Sequence, residues 1–173
     1  NVKPHDILLT LKVQNPKNMS TLQTIYIAKQ KIRKNDEKGM NQMQGLLSSL
    51  KKGGYIYYYR THNLYNELED LFFIHPRLLE IWQAFPQVML MDPTYERNKY
   101  KMPLLEVVGV TSTRLTFCIA FVFTQEEKEF NYTRALNCLK STMGGSLCPR
   151  VIVTDRELAL MKACHTVFPN SKQ

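Results

Sequence analysis

Between Val88 and Val110 the chain reads V-M-L-M-D-P-T-Y-E-R-N-K-Y-K-M-P-L-L-E-V-V-G-V: one apolar run ending in a lone carboxylate, a polar turn, and a second apolar run. No other stretch limits the fold as much. Four consecutive apolar residues, Val88 to Met91, suit a strand covered on both faces. Asp92 follows at the strand's end, and Pro93 bars a helical continuation. A second run, Val151-Ile152-Val153-Thr154-Asp155, also ends in aspartate, this time at the mouth of a helix. Two strands that each deliver an aspartate at the C-terminal end point to a shared site.

The segments around these runs set the topology. Leu104 to Val110 and Arg114 to Thr124 read as strands joined by the turn Thr111-Ser112-Thr113, which makes a three-strand antiparallel meander. The acidic stretch Glu126-Glu127-Lys128-Glu129 favours a helix start; Tyr132, Leu136, Leu139 and Met143 line one face, and Gly144-Gly145 stop it. A last helix carries Leu160, Ala163, Cys164 and Val167 on one face and ends at Pro169-Asn170. A helical crossover lets the strand at 151–154 lie parallel to the strand at 88–91, with right-handed connection. Asp92 and Asp155 then share one end of the sheet. The expected class is α/β, a partial ribonuclease H-like fold with a mixed sheet in the order strand-strand-strand-helix-strand-helix and no fifth strand. Val151 to Val153 would be a bare apolar edge.

Charge separates the chain into two parts. Residues 1–66 hold 11 Lys and Arg against 3 Asp and Glu, while residues 67–173 hold 12 of each, so the whole excess of +8 lies in the first third. Such asymmetry marks a segment suited to a polyanion, usually nucleic acid, against the plainer reading of a solvated basic face. Three short amphipathic helices are expected there. Ile7, Leu8 and Leu11 form the first, stopped near Asn15-Pro16. The second starts at a Ser20-Thr21-Leu22-Gln23 capping box and carries Leu22, Ile25, Tyr26 and Ile32. Met43, Leu46, Leu47 and Leu50 form the third, ended by Gly53-Gly54. Lys29, Lys31, Arg33 and Lys34 on the second, with Lys51, Lys52 and Arg60, are the candidate DNA contacts.

Tyr55 to Arg60 and Leu68 to Ile74 are too rich in β-formers for helices and suggest a hairpin. Basic helices followed by a tyrosine-rich hairpin fit a helix-turn-helix with a wing. Equally, the tyrosines pack the hairpin on the following domain. The expected division is therefore 1–66, basic and helical with the start of the hairpin, and 67–173, the α/β part. Pro76 opens a further helix with Leu78, Leu79, Trp82 and Phe85, which Pro86 ends.

Other classes are disfavoured. The longest apolar run, Phe117 to Phe123, falls far short of the roughly 18 residues of a membrane span. No secretory leader is legible, and the first residue, Asn1, suggests a chain cut from something longer. Cys118, Cys138, Cys148 and Cys164 never fall at C-x-x-C spacing, which suits reduced, mostly buried thiols in an intracellular protein better than disulfides or zinc.

The stretch Asp92-Pro-Thr-Tyr-Glu-Arg-Asn-Lys-Tyr-Lys-Met-Pro-Leu-Leu, then Val108-Gly109-Val110, then Val151-Ile152-Val153-Thr154-Asp155-Arg156-Glu157-Leu158-Ala159-Leu160-Met161, resembles the transposase domain of plant Mutator-like elements (MULE). The same domain occurs in the far-red impaired response family of transcription regulators. The resemblance covers about residues 68–173. It implies a metal-dependent transposase using two aspartates and a glutamate, with Asp92 and Asp155 as the first two acids, magnesium or manganese as cofactor, DNA as partner, a nuclear location, and an oligomer in the intact parent.

Acids suit that chemistry. Cutting and joining phosphodiesters requires an activated nucleophilic oxygen and a stabilised leaving oxygen, the work of two divalent ions held by hard oxygen ligands. Without that resemblance, Asp155 equally serves a Thr154/Glu157 capping box and Asp92 a turn. The chain departs from the family at Pro93, Glu96 and Arg97. The third acid, which lies well downstream in the family, has no match here, so the chain alone is expected neither to cleave nor to join DNA. A transposase fragment, a domesticated DNA-binding regulator and an inert remnant of a mobile element are the function classes in play.

Overall fold

A computed structural model describes residues 2–36, 42–62, 67–94, 102–144 and 148–173, with backbone alone at 33–36 and 42. The chain forms two compact units, Asn1–Ser49 and Leu50–Gln173.

The second unit is built on one six-stranded sheet. Its strands are β1 (Ile56–Thr61), β2 (Leu68–Ile74), β3 (Val88–Thr94), β4 (Leu104–Val110), β5 (Thr116–Thr124) and β6 (Val151–Thr154). They lie in the order β1-β2-β5-β4-β3-β6, and every pairing is antiparallel except β3 with β6. The expected meander and the parallel fourth strand are therefore present. Alternation sets the faces: Phe72, Ile74, Met89, Met91, Leu105, Val107, Ala120, Val122 and Ile152 form the core side. Three helices join this unit: α4 (Pro76–Ala84), α5 (Glu129–Thr142) and α6 (Leu158–Val167).

In the second unit the helical faces read from the 3.6-residue period are the buried ones, whereas on the helix expected from Leu22 the apolar residues Leu22, Tyr26 and Ile32 are exposed and Ile25 alone of that face is buried. Tyr132, Leu136, Leu139 and Met143 of the α5 segment, and Leu160, Ala163, Cys164 and Val167 of α6, all belong to the core. Helix α4 begins where Pro76 supplies the helical φ, and the His75 ring nitrogen Nδ1 accepts from the Arg77 amide at 3.2 Å. Its Trp82 is fully buried.

Three expectations need correction. The hairpin is no free wing: β2 pairs with β5 as well as with β1, so the hairpin extends the main sheet. Leu71 on one face of β2 and Phe72 and Ile74 on the other are all buried, as suits a strand in the interior of a sheet. The two compact units divide at Ser49/Leu50, ahead of the hairpin. Second, β6 is not a bare edge. Lys172 bridges Val151 in parallel; its carbonyl accepts from the Ile152 amide at 2.8 Å, and its amide donates to the Arg150 carbonyl at 2.9 Å.

Third, two caps sit elsewhere than expected. Helix α6 is capped by Glu157, whose carboxylate accepts from the Ala159 and Leu160 amides at 3.1 and 2.5 Å, so Thr154 ends a strand instead of starting a helix. In the first unit, α2 (Leu22–Asp36) is preceded by Thr21, whose hydroxyl accepts from the Thr24 amide at 3.3 Å, in place of the Ser20 and Gln23 pair. That unit also holds α1 (Pro4–Gln14), and α3 (Gln42–Lys52) runs across the boundary. As the two glycines imply, α3 stops at Gly54, with φ +69° and its amide donating to the Lys51 carbonyl. The departure residues Glu96 and Arg97 and the helix-stopping Gly145 lie outside the described residues.

Candidate metal and nucleic-acid site

Strands β3 and β6 run parallel with Val88 beside Val151 and Met91 beside Thr154. The next residue in each case is an aspartate, Asp92 still within β3 and Asp155 just past the end of β6. Asp92 and Asp155 thus stand at neighbouring backbone positions at the C-terminal ends of adjacent strands, whose axes are about 4.8 Å apart. Both are solvent-exposed. Asp155 lies in the turn between β6 and α6, where its Oδ1 accepts from the Glu157 amide at 3.4 Å. Since Glu157 caps the helix, Asp155 is not needed there.

Other carboxylates gather at this end of the sheet. Glu106 of β4 stands directly across from Asp92; the Cys118 thiol of β5 donates to the Val107 and Ala120 carbonyls, each at 3.7 Å. Burial first, and then the charge and hydrogen bond of Glu106, push the Cys118 thiol up to about 12. Glu127 sits in the turn between β5 and α5. Burial, then the charges of Glu157 and Asp155, raise its carboxyl above the usual range. Tyr132, in the first turn of α5, is raised by burial and then by Glu127, Glu157 and Asp155. Its hydroxyl is buried and has no hydrogen-bond partner among the described residues.

By the chemistry of its donors, though not as a closed cage, the pair suits a hard divalent ion. Asp92 and Asp155 are exposed carboxylates on adjacent strand ends, and oxygen ligands of this kind suit magnesium or manganese. Among the described residues, no three of His, Cys, Asp and Glu converge on one point as a finished cage. Asp92 and Asp155 would be the residues to hold the ion. Neither Glu106 nor Glu127 was singled out from the sequence. Glu127 was absorbed in an acidic helix start, and the available signal was a tyrosine on an otherwise apolar helical face, whose hydroxyl needs an acceptor.

The candidate DNA contacts divide. Lys31, Lys51 and Lys52 are exposed, the last two in the final turn of α3. Lys29 is half-buried and donates to the Val2 carbonyl at 3.0 Å. The side chains of Arg33 and Lys34 lie outside the described residues. Arg60 is committed within the fold. Its Nε stands 2.7 Å from Glu69 and 3.0 Å from Asp70, its other nitrogen donates to Asn131 Oδ1 at 3.1 Å, and it lies over the Phe130 ring. Arg134 of α5 also pairs with Asp70, so the buried Asp70 carboxylate ties the hairpin to the helix.

No helix among the described residues is long and apolar enough to cross a membrane. Comparison with known proteins bears on the whole arrangement. Two plant relatives from Arabidopsis thaliana are similar to it. Protein FAR1-RELATED SEQUENCE 4 is 25% identical over 105 residues, 61% of this chain and 14% of that protein. Protein FAR-RED IMPAIRED RESPONSE 1 is 26% identical over 105 residues, 61% of this chain and 13% of that protein. A stretch of 97 residues is 32% identical to 2% of the PKS-NRPS hybrid synthetase cheA of Chaetomium globosum. The chain therefore spans only a small part of these relatives. The family model for the MULE transposase domain matches residues 88–173, from the first residue of β3 through Asp92 and Asp155 to the end of the chain. Residues 88–173 belong to the MULE transposase domain family.

Proposed function

We propose that this chain carries the first part of the catalytic domain of a Mutator-like DNA transposase, with a ribonuclease H-like core formed by β3 to β6 and α5, and that the complete protein cuts and joins DNA in the nucleus. The observation that carries this reading is the placement of Asp92 and Asp155 at adjoining ends of the parallel pair β3 and β6, inside the matched segment. Lys172, in parallel beside β6, occupies the place where a fifth strand would continue the sheet. A bound magnesium or manganese would supply activation of a water or hydroxyl oxygen and stabilisation of the departing oxygen. Asp92, on β3, and Asp155, in the turn directly after β6, would hold and orient it. The basic first region, through Lys29, Lys31, Arg33, Lys34, Lys51 and Lys52, grips phosphates and delivers the duplex without reading sequence by itself.

The test is strand cleavage by the complete protein in magnesium or manganese, with Asp92→Asn and Asp155→Asn variants. Each substitution should abolish cleavage while duplex affinity stays within about twofold, since the phosphate contacts lie elsewhere. Cleavage that survives both would overturn the reading. A second reading, a DNA-binding regulator that no longer cuts, is favoured by the similarity to the FAR1-type relatives. It predicts duplex binding of equal strength in wild type and both variants, and no cation-dependent cleavage in any of them.

A further inference from the structure

The two edges of the six-stranded sheet are finished differently. At one, β6 is four residues long, and the Lys172 backbone pairs with it on the outer side. At the other, β1 is six residues long, and among the described residues no strand pairs with its outer side. Alternate residues of such a strand turn amide and carbonyl away from the sheet, where only water or another strand meets them.

The sequence does little to blunt this edge. Ile56 to Thr61 contains no proline and no lysine, and its one charge, Arg60, is already balanced by Glu69 and Asp70. The register irregularity between Arg60 and Thr61 leaves Ile56 to Arg60 as the regular stretch. Large side chains are exposed along it, Tyr58 at 43% and Tyr59 at 50%. Tyr57 and Tyr59 lie on the face away from the core, with ring centroids 6.4 Å apart and planes 22° from parallel. Tyr58 lies on the helix side. There, with Phe130, Arg134 and Asn137 of α5, it lines a groove of about 420 Å³.

An edge of this kind is completed by an extended strand, and β1 complements itself. Antiparallel pairing of two copies about a twofold axis at Tyr58 sets Tyr58 against Tyr58, Tyr57 against Tyr59, and Arg60 against Ile56. Aromatic rings then stand opposite one another on both faces of the joined sheet, and no like charges meet. Parallel pairing in register would set Arg60 against Arg60. On the helix side, Tyr58 of the second copy arrives beside the groove that Tyr58 and Phe130 line.

We propose that two copies of this chain associate through β1, in antiparallel register centred on Tyr58, so that their two sheets become one. The regular stretch is about 17 Å long. Such a contact is at the small end of specific interfaces, so the dimer is a weak one, with a dissociation constant in the micromolar range. It needs neither metal nor DNA, and stands or falls apart from the reading of Asp92 and Asp155.

The experiment is sedimentation velocity on the full 173-residue chain, without metal or DNA, at about 1–300 µM, a range that brackets micromolar association. The wild type should pass from monomer to dimer. Tyr58→Lys and Tyr58→Glu each bring like charges together at the axis, and each should raise the dissociation constant at least about tenfold. Mixed in equal amounts, the two variants should recover association to within about threefold of wild type, because lysine then faces glutamate across the strands. Val153→Lys, at an exposed position on the other edge strand, should leave association unchanged. Fluorescence of the buried Trp82 reports whether each variant stays folded. Should a Tyr58 variant fail to fold, Tyr59→Lys breaks the pair with Tyr57 at a more exposed position and should also weaken the dimer. A wild type that stays monomeric throughout, a dimer indifferent to substitution in β1, a loss carried by Val153→Lys in its place, or folded Tyr58 variants that do not recover on mixing overturns the inference.

Discussion

Replacing Asp70 with alanine should loosen the hairpin from the helix layer. The Asp70 side chain is 6% exposed and bonds two guanidinium groups, Arg60 of β1 and Arg134 of α5, each about one-third exposed. A hydrogen bond to a charged group contributes about 1.5–3 kcal/mol net, and breaking a fully buried pair costs about 3–5 kcal/mol. Here the cost is reduced, because Arg60 keeps Glu69 and Asn131 and water reaches both cations. Asp70→Ala should therefore cost about 2–4 kcal/mol, between those bounds. Arg134→Gln, which leaves Asp70 its bond to Arg60, should cost about 1–2 kcal/mol. In the double variant the losses should fall short of additive, since both act on one network. The chain has a single tryptophan, Trp82, in the core of the second unit. Its fluorescence during urea unfolding reports on that unit. An Asp70→Ala loss below about 0.5 kcal/mol, the scale of an ordinary surface change, would refute the claim that this carboxylate fastens the hairpin.

Further outcomes follow from other parts of the molecule. A Cβ at Gly109 would lie 2.4 Å from Phe117 Cζ and 2.7 Å from its Cε1; Gly109→Ala should lower stability by about 1–3 kcal/mol, and pairing it with Phe117→Leu should recover part of that in the same urea experiment. Burial holds the Cys118 and Cys164 thiols up to about 12, so at pH 8 both stay protonated and slow to react, while exposed Cys148 reacts first with a thiol reagent, and denaturant should release the rest. Duplex binding should weaken steeply with salt, with log affinity falling by about 0.9 per phosphate neutralised; Lys31→Ala and Lys51→Ala should each lower that slope, and indifference to salt would contradict the role given to the basic region.

Local patterns made much of this fold legible. The buried faces of α5 and α6 follow directly from helical spacing, since a 3.6-residue period admits one apolar stripe. The aspartates were legible for a similar reason: a strand run that ends in a carboxylate brings it to the sheet's end whatever the neighbours. What the period does not carry is which strand lies beside which. The pairing of β2 with β5 joins residues some fifty positions apart, and the hint lay in Leu71 and Phe72, apolar on both faces. Arg60 shows the same blind spot. Read as a charge in a basic region, it stands opposite Asp70 in the hairpin register, so its partner was visible only once the strands were aligned. Glu157 and Thr21 show how caps shift when several polar residues compete for the same helix amides. Tyr132 was placed on its face correctly, but its hydroxyl belongs to a different argument, that of unsatisfied donors.

The most direct test of the central claim is anomalous diffraction from crystals of the chain soaked in manganese. The account predicts a peak at the C-terminal ends of β3 and β6, with carboxylate oxygens of both Asp92 and Asp155 about 2.1–2.2 Å away, the bond length expected for a small divalent ion with oxygen ligands. A peak elsewhere, or none at this end of the sheet while other sites fill, would contradict it.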